Sequence, residues 1–140
     1  MRLFSAIPFT LFSLLIYNGL AFTAGAAEPA FWSQPVITVS MVSGAVFELL
    51  ASDLLITLGL FFLFIEILKA TRIGTTALLD HMFSVLVFVA YLVEFLVLQP
   101  AATSLFFILM AISLIDVIAG FSISITGARR DVSFGHGDMH

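Results

Sequence analysis

Leu105-Phe106-Phe107-Ile108-Leu109-Met110-Ala111-Ile112-Ser113-Leu114-Ile115-Asp116-Val117-Ile118-Ala119-Gly120-Phe121-Ser122-Ile123-Ser124-Ile125 is an apolar run holding one charge, and Arg129-Arg130 follow it. Crossing the hydrocarbon of a bilayer as a helix takes about 20 residues at 1.5 Å rise each. This run is long enough. Three others share its character, roughly Leu3 to Ala24, Leu54 to Leu68 and Ala77 to Leu98. Together they predict helices over about 3–26, 53–72, 76–98 and 103–126.

Composition agrees with that reading. Hydrophobic residues make up 61% of the 140 and charged residues 10%, against about 25% charged in a soluble domain. A water-facing surface cannot be built from so few charges. Four spans use roughly 80 of the 140 residues, which leaves no room for a second folded domain. The expected organisation is a single transmembrane domain over 1–127 and a flexible cytoplasmic tail over 128–140, where glycines punctuate a polar sequence.

The basic residues are Arg2, Lys69, Arg72, Arg129 and Arg130. If the four runs cross alternately, all five emerge on one face. Lys and Arg mark the cytoplasmic side, so both chain ends are expected there, with the protein in a bacterial inner membrane. The first run also has the features of a secretory signal: Arg2, an apolar stretch, and small residues in Ala24-Gly25-Ala26-Ala27. Its length and the late Tyr17-Asn18 favour retention as a span; cleavage leaves three helices in the same orientation.

Between the first two spans lies the one sizeable outer segment, from Glu28 to Ser52. Phe31-Trp32 suit an aromatic anchor at headgroup level. Val36-Ile37-Thr38-Val39-Ser40-Met41 and Ala45-Val46-Phe47-Glu48-Leu49-Leu50 flank Val42-Ser43-Gly44, which predicts a short extracytoplasmic β-hairpin over about 35–51 that rests on the top of the helices. Ser52 and Asp53 suit the N-cap of the second span, and Thr103 or Ser104 that of the fourth. Ile73-Gly74-Thr75-Thr76 predicts a tight loop joining the second and third helices as an antiparallel pair. The fold class is thus an all-α membrane protein, a four-helix transmembrane bundle with a short outer hairpin.

Asp80-His81-Met82, and Ala119-Gly120-Phe121-Ser122 leading into Arg130-Asp131-Val132-Ser133-Phe134-Gly135, resemble a group of small bacterial four-pass inner-membrane proteins of uncharacterised function. The resemblance covers most of the chain. It implies a small four-pass protein and carries no activity with it.

Ionisable residues at bilayer depth normally face protein or water, since each costs at least about 2.5 kcal/mol on insertion scales. Counted from the cytoplasmic ends, Lys69 and Asp80 lie about three residues in, Glu66 and His81 about five, Asp116 about ten and Glu94 about seventeen. Partners on an antiparallel helical pair meet at equal depth, so Lys69 is expected to face Asp80, and Glu66 to face His81. The group reads as a clasp fixing the register of the pair, or alternatively as a cytoplasm-facing entry site for protons or cations. Glu94, at outer headgroup depth, is expected to be solvated.

Asp116 sits near the midplane. Ser113, Gly120 and Ser124 share its face, a small-residue seam that lets helices approach closely. Ala77, Asp80, Ser84, Tyr91 and Glu94 make a comparable stripe, as do Thr10, Ser13 and Tyr17, with Asn18 adjacent. The first reading is a packing interface in which a neutral Asp116 is held by Asn18, Tyr91 or Ser113. A proton, ion or small-molecule pathway is one alternative, and an oligomer contact another.

Several chemistries are excluded or disfavoured. With no cysteine there is no disulfide, thiolate site or cysteine nucleophile. His81 is the one histidine within a span, so a single chain cannot offer two axial histidines to a haem. His136 and His140 lie in the tail without a second shell. No nucleophile–base pair or phosphate loop is present, and five cations spread over one membrane face do not suit nucleic acid. No cofactor or metal is expected. The function these features predict is a non-catalytic accessory, assembly or scaffold protein of a membrane complex, partnered by lipid and by other membrane proteins or itself. The alternative is a small proton, ion or small-molecule transporter or channel subunit using its intramembrane acids.

Overall fold

The computed structural model describes residues 6–23, 28–72 and 76–134. Along the chain come α1 (Thr10–Thr23), α2 (Pro29–Trp32), β1 (Pro35–Ser40), β2 (Val46–Leu50), α3 (Ala51–Ala70), α4 (Thr76–Val97) and α5 (Ser104–Phe134), with a 3-10 turn over Gln99–Ala101. Among the described residues three helical stretches are long and apolar enough to cross a membrane: Ala51–Ala70, Ala77–Val97 and Ser104–Arg130, with mean hydropathies of 2.1, 1.8 and 2.4.

The distribution of side chains is that of a protein in lipid. Phe61, Phe64, Leu86, Leu96, Ile115 and Ile118 are exposed, while Thr10, Ser13, Glu66, Asp80, Ser84, Ser113 and Asp116 are buried. Water would drive the opposite arrangement, because apolar surface is expelled from it and unpaired polar groups are not. In hydrocarbon the apolar exterior costs nothing, and polar groups gain by meeting one another inside.

Within the described residues α1 starts later than expected. The ends of the predicted 3–26 helix lie outside the described residues, and residues 6–9 are not α-helical. Pro8 explains the late start: its ring disfavours helical backbone at Ile7 and it carries no N–H. The 14 described residues of α1 account for about 21 Å of the roughly 30 Å of hydrocarbon. α1 packs against α3, α5 and α4.

α5 is longer than expected, taking in residues 128–134 that the glycine content assigns to a tail. Ala128, Arg129 and Arg130 are good helix formers, and a single Gly127 does not stop a helix already supported by packing. His136 and His140 lie outside the described residues. At its other end α5 is capped as the sequence suggests, with the Phe106 N–H donating to Thr103 Oγ1 at 3.1 Å. α3 starts at Ala51 rather than after Asp53, because β2 passes into it without a loop. Asp53 then acts from inside the first turn, accepting the Leu50 N–H at 3.4 Å.

The hairpin forms over the expected residues. β1 and β2 pair antiparallel with Ser40 opposite Val46 and Thr38 opposite Glu48, and the register slips between Pro35 and Ile37. At the turn the Met41 N–H donates to Ala45 O (2.8 Å) and the Gly44 N–H to Met41 O (2.9 Å). Gly44 has φ +85°, a conformation that disfavours a Cβ. The ribbon does not rest on the bundle, however. β1 is exposed throughout, and only the end of β2 becomes half-buried where it meets α3. Trp32 is likewise buried, stacked on Tyr17 at 5.0 Å rather than presented to headgroups. Phe106 meets Tyr17 edge-on at 4.9 Å, so an aromatic layer closes the hairpin end of the bundle.

Candidate functional site

Lys69, in the last turn of α3, is the hub of the opposite end. Its Nζ donates to Glu66 Oε1 at 3.0 Å, Asp80 Oδ1 at 3.1 Å and the Ile7 carbonyl at 3.1 Å, which uses all three ammonium protons. The ammonium also lies 5.4 Å from the centre of the Phe9 ring, within cation–π range. Glu66 Oε2 accepts the Phe9 N–H at 2.9 Å. Lys69 thus meets Asp80 as depth predicts, and the same group also ties down the segment before α1. Backbone groups of Ile7 and Phe9 complete it, and the signal that could have found them is Pro8, which breaks the helix beside both.

The expected Glu66–His81 contact does not form. His81 Nε2 lies 2.5 Å from Ser124 Oγ on α5, and its ring packs 5.6 Å from that of Phe121. Asp80 and His81 are neighbours on a helix, so their side chains diverge by about 100°. When Asp80 faces α3, His81 must face α5. A Cβ on Gly120 would come within 2.6 Å of the His81 ring, so the absence of a side chain there is what admits the imidazole. Of the small-residue seam, Gly120 and Ser124 therefore receive His81, while Ser113 lies deeper in the bundle.

Asp116 is 4% exposed. Thr10 Oγ1 on α1 donates to its Oδ2 at 3.1 Å, and Ser84 on α4 lies beside it. None of the three expected partners holds it. Tyr91 donates to the Thr10 carbonyl at 3.2 Å, Asn18 donates to Glu94 Oε2 at 2.8 Å, and Ser113 bonds no protein group. Asn18 is eight residues beyond Thr10, about 12 Å further along α1, and so meets the acid at its own height. Glu94, expected to be solvated, is half-buried under that amide.

Ser13 and Ser113 are 2% and 0% exposed, and neither hydroxyl has a protein partner. A buried hydroxyl left so costs about 1–3 kcal/mol. Tyr17 shows the satisfied case: its hydroxyl donates to Pro100 O at 2.6 Å and lies 2.9 Å from Thr103 Oγ1.

Three carboxyls, Glu66, Asp80 and Asp116, interact electrostatically around the single ammonium of Lys69. Among the described residues no three His, Asp or Glu side chains are arranged to hold a metal ion. A cleft of about 230 Å³ between α1, α2 and α3 is lined by apolar groups such as Ile16, Leu20, Phe31 and Leu58, and offers nothing to orient a polar substrate. No family model, curated protein or solved structure matches the chain.

Proposed function

We propose that the chain is a non-catalytic accessory, assembly or scaffold protein of a bacterial inner-membrane complex. In this reading α1, with the residues around it, completes a four-helix bundle, and both ends are cytoplasmic. Lys69 and Arg72 at the end of α3 and Arg129 and Arg130 near the end of α5 support that orientation, since those helix ends lie together and cytoplasmic faces collect such residues. A reporter joined after His140 is expected to report cytoplasm and one inserted at Ser43 the periplasm; the reverse pattern excludes this orientation.

The observation that carries the accessory reading is the hairpin. Val36, Ile37, Val39, Val46 and Phe47 are all about half-exposed or more, on a ribbon continuous with α3 and with unpaired strand edges. Edges and apolar faces of this kind are surfaces that strand addition or a hydrophobic partner covers. The ribbon is also too small to enclose a substrate. Purification from native membranes in mild detergent is expected to bring down a stoichiometric companion. Replacing residues 36–48 by a Gly-Ser loop is expected to release it while the bundle stays folded. Purification of the chain alone, or a companion retained by the loop variant, argues against the reading.

A further inference from the structure

The polar side chains buried in the bundle form a column rather than a scatter. Thr10 on α1 bonds Asp116 on α5, and the two helices run antiparallel. One turn towards the hairpin, α1 presents Ser13 and α5 presents Ser113, which that register brings to the same height. Both are at least nine-tenths buried, and neither hydroxyl has a protein partner. The Tyr91 hydroxyl, bonded to the Thr10 carbonyl, lies beside Ser13. A turn further along α4 stands Glu94, half-buried under Asn18. Below Asp116, towards the Lys69 end, the facing charges are Glu66 and Lys69 from α3 and Asp80 from α4. Asp80 and Lys69 keep a little surface at that end. Acids and hydroxyls therefore follow one another at intervals of about one turn through most of the bundle.

We propose that this column is a proton path, with internal water held by Ser13 and Ser113 joining Glu94 to Asp116. Buried water in proteins satisfies polar groups that lack other partners, and two such hydroxyls between two acids are the elements of a relay. A proton from solvent at the hairpin end adds to the Glu94 carboxylate. Each hydroxyl or water along the path then accepts one proton and gives up another, so that one O–H bond forms as one breaks. Asp116 takes the proton and passes it to Glu66 or Asp80, from which it leaves at the Lys69 end. No electrons move, and the net change is one proton carried across. This activity goes beyond an accessory role and does not depend on it.

Proteoliposomes containing a pH-sensitive dye, with a potential set by potassium and valinomycin, test the proposal on the full chain. The wild-type protein is expected to carry protons faster than empty vesicles do. Asp116→Asn, which keeps size and hydrogen bonding, is expected to lower that flux by at least about tenfold, the scale of losing a proton-transfer group. The decisive variant is Ser13→Ala with Ser113→Ala. It removes two hydroxyls that bond no protein group, so a purely structural column predicts a protein that melts no lower and behaves as wild type. The relay predicts the same unchanged melting and a flux reduced towards that of empty vesicles. Wild-type flux equal to that of empty vesicles overturns the proposal, as does full flux in either folded variant.

Discussion

The Lys69 end of the bundle and the hairpin at the other end are built on opposite rules. At the Lys69 end the polar groups are inside and their partners come from afar: Lys69 bonds Ile7 and Asp80, Glu66 bonds Phe9, and Asp116 bonds Thr10. In the hairpin the apolar groups are outside, and the strands' bonds run to the neighbouring strand and its turn. The first region depends on every helix being in place. The second depends on almost nothing beyond itself and the first turn of α3. In a protein whose exterior is hydrocarbon, burial of apolar surface against water does not drive helix association, so the polar contacts take a larger share in fixing which helix faces touch.

The largest effect is therefore expected at Lys69. Lys69→Glu leaves Glu66 and Asp80 without their cation and adds a third carboxylate beside them. Breaking a buried pair in this way costs about 3–5 kcal/mol, read as lost folded yield and a lower melting temperature in detergent. Combining it with Asp80→Lys restores the attraction between α3 and α4 but leaves the new carboxylate one turn from Glu66. Recovery is thus expected to be partial, with a coupling of about 0.5–3 kcal/mol in a double-mutant cycle. Strictly additive losses would mean that the two side chains do not meet.

A smaller effect is expected where α4 meets α5. Gly120→Ala places a methyl group where the His81 ring now lies, and overpacking of this kind costs about 1–3 kcal/mol. The ring must swing away, which breaks its contact with Ser124. His81→Ala makes room, so Gly120→Ala is expected to be nearly harmless in that background. An equal loss with and without the imidazole would show that something other than His81 limits residue 120.

How much of this was legible in the sequence follows from what a helix fixes. Apolar runs of span length have one stable local structure in lipid, so α3, α4 and α5 could be read directly. Depth was legible too: Lys69 and Asp80 lie at matching distances from the short 73–75 connection, and they meet. Azimuth was not. Glu66 and His81 share a depth, yet His81 points a quarter-turn or so from Asp80 and finds Ser124 instead. Partners of Asp116 depended on the register of α1, which Pro8 and backbone groups of residues 7 and 9 help to set and which no periodicity reveals. The end of α5 was misread because Gly127 and the polar residues after it look like a stop, whereas their cost as helix residues is small beside the support of a long packed helix. For the hairpin, strand propensity and Gly44 sufficed, since its pairing is local. Its failure to lie on the bundle could not be read from the pattern, because Ile37, Val39, Phe47 and Leu49 share one apolar face and Thr38 and Glu48 the other, as in a ribbon that rests on something.

The smallest effect is expected in the hairpin, and it bears most directly on the contrast between the two regions. Val39 and Phe47 face each other across the strands, and both are about half-exposed. Changing both to Thr keeps β-propensity and removes apolar surface that no other part of the chain covers. Surface substitutions away from packed groups usually fall within about ±0.5 kcal/mol. The melting temperature of the purified protein is accordingly expected to stay unchanged, while association with a companion or with itself weakens. A clear drop in the melting temperature of the isolated protein would mean that the ribbon is packed against the bundle after all. The two regions would then be one cooperative unit rather than a polar-cored bundle carrying an independent arm.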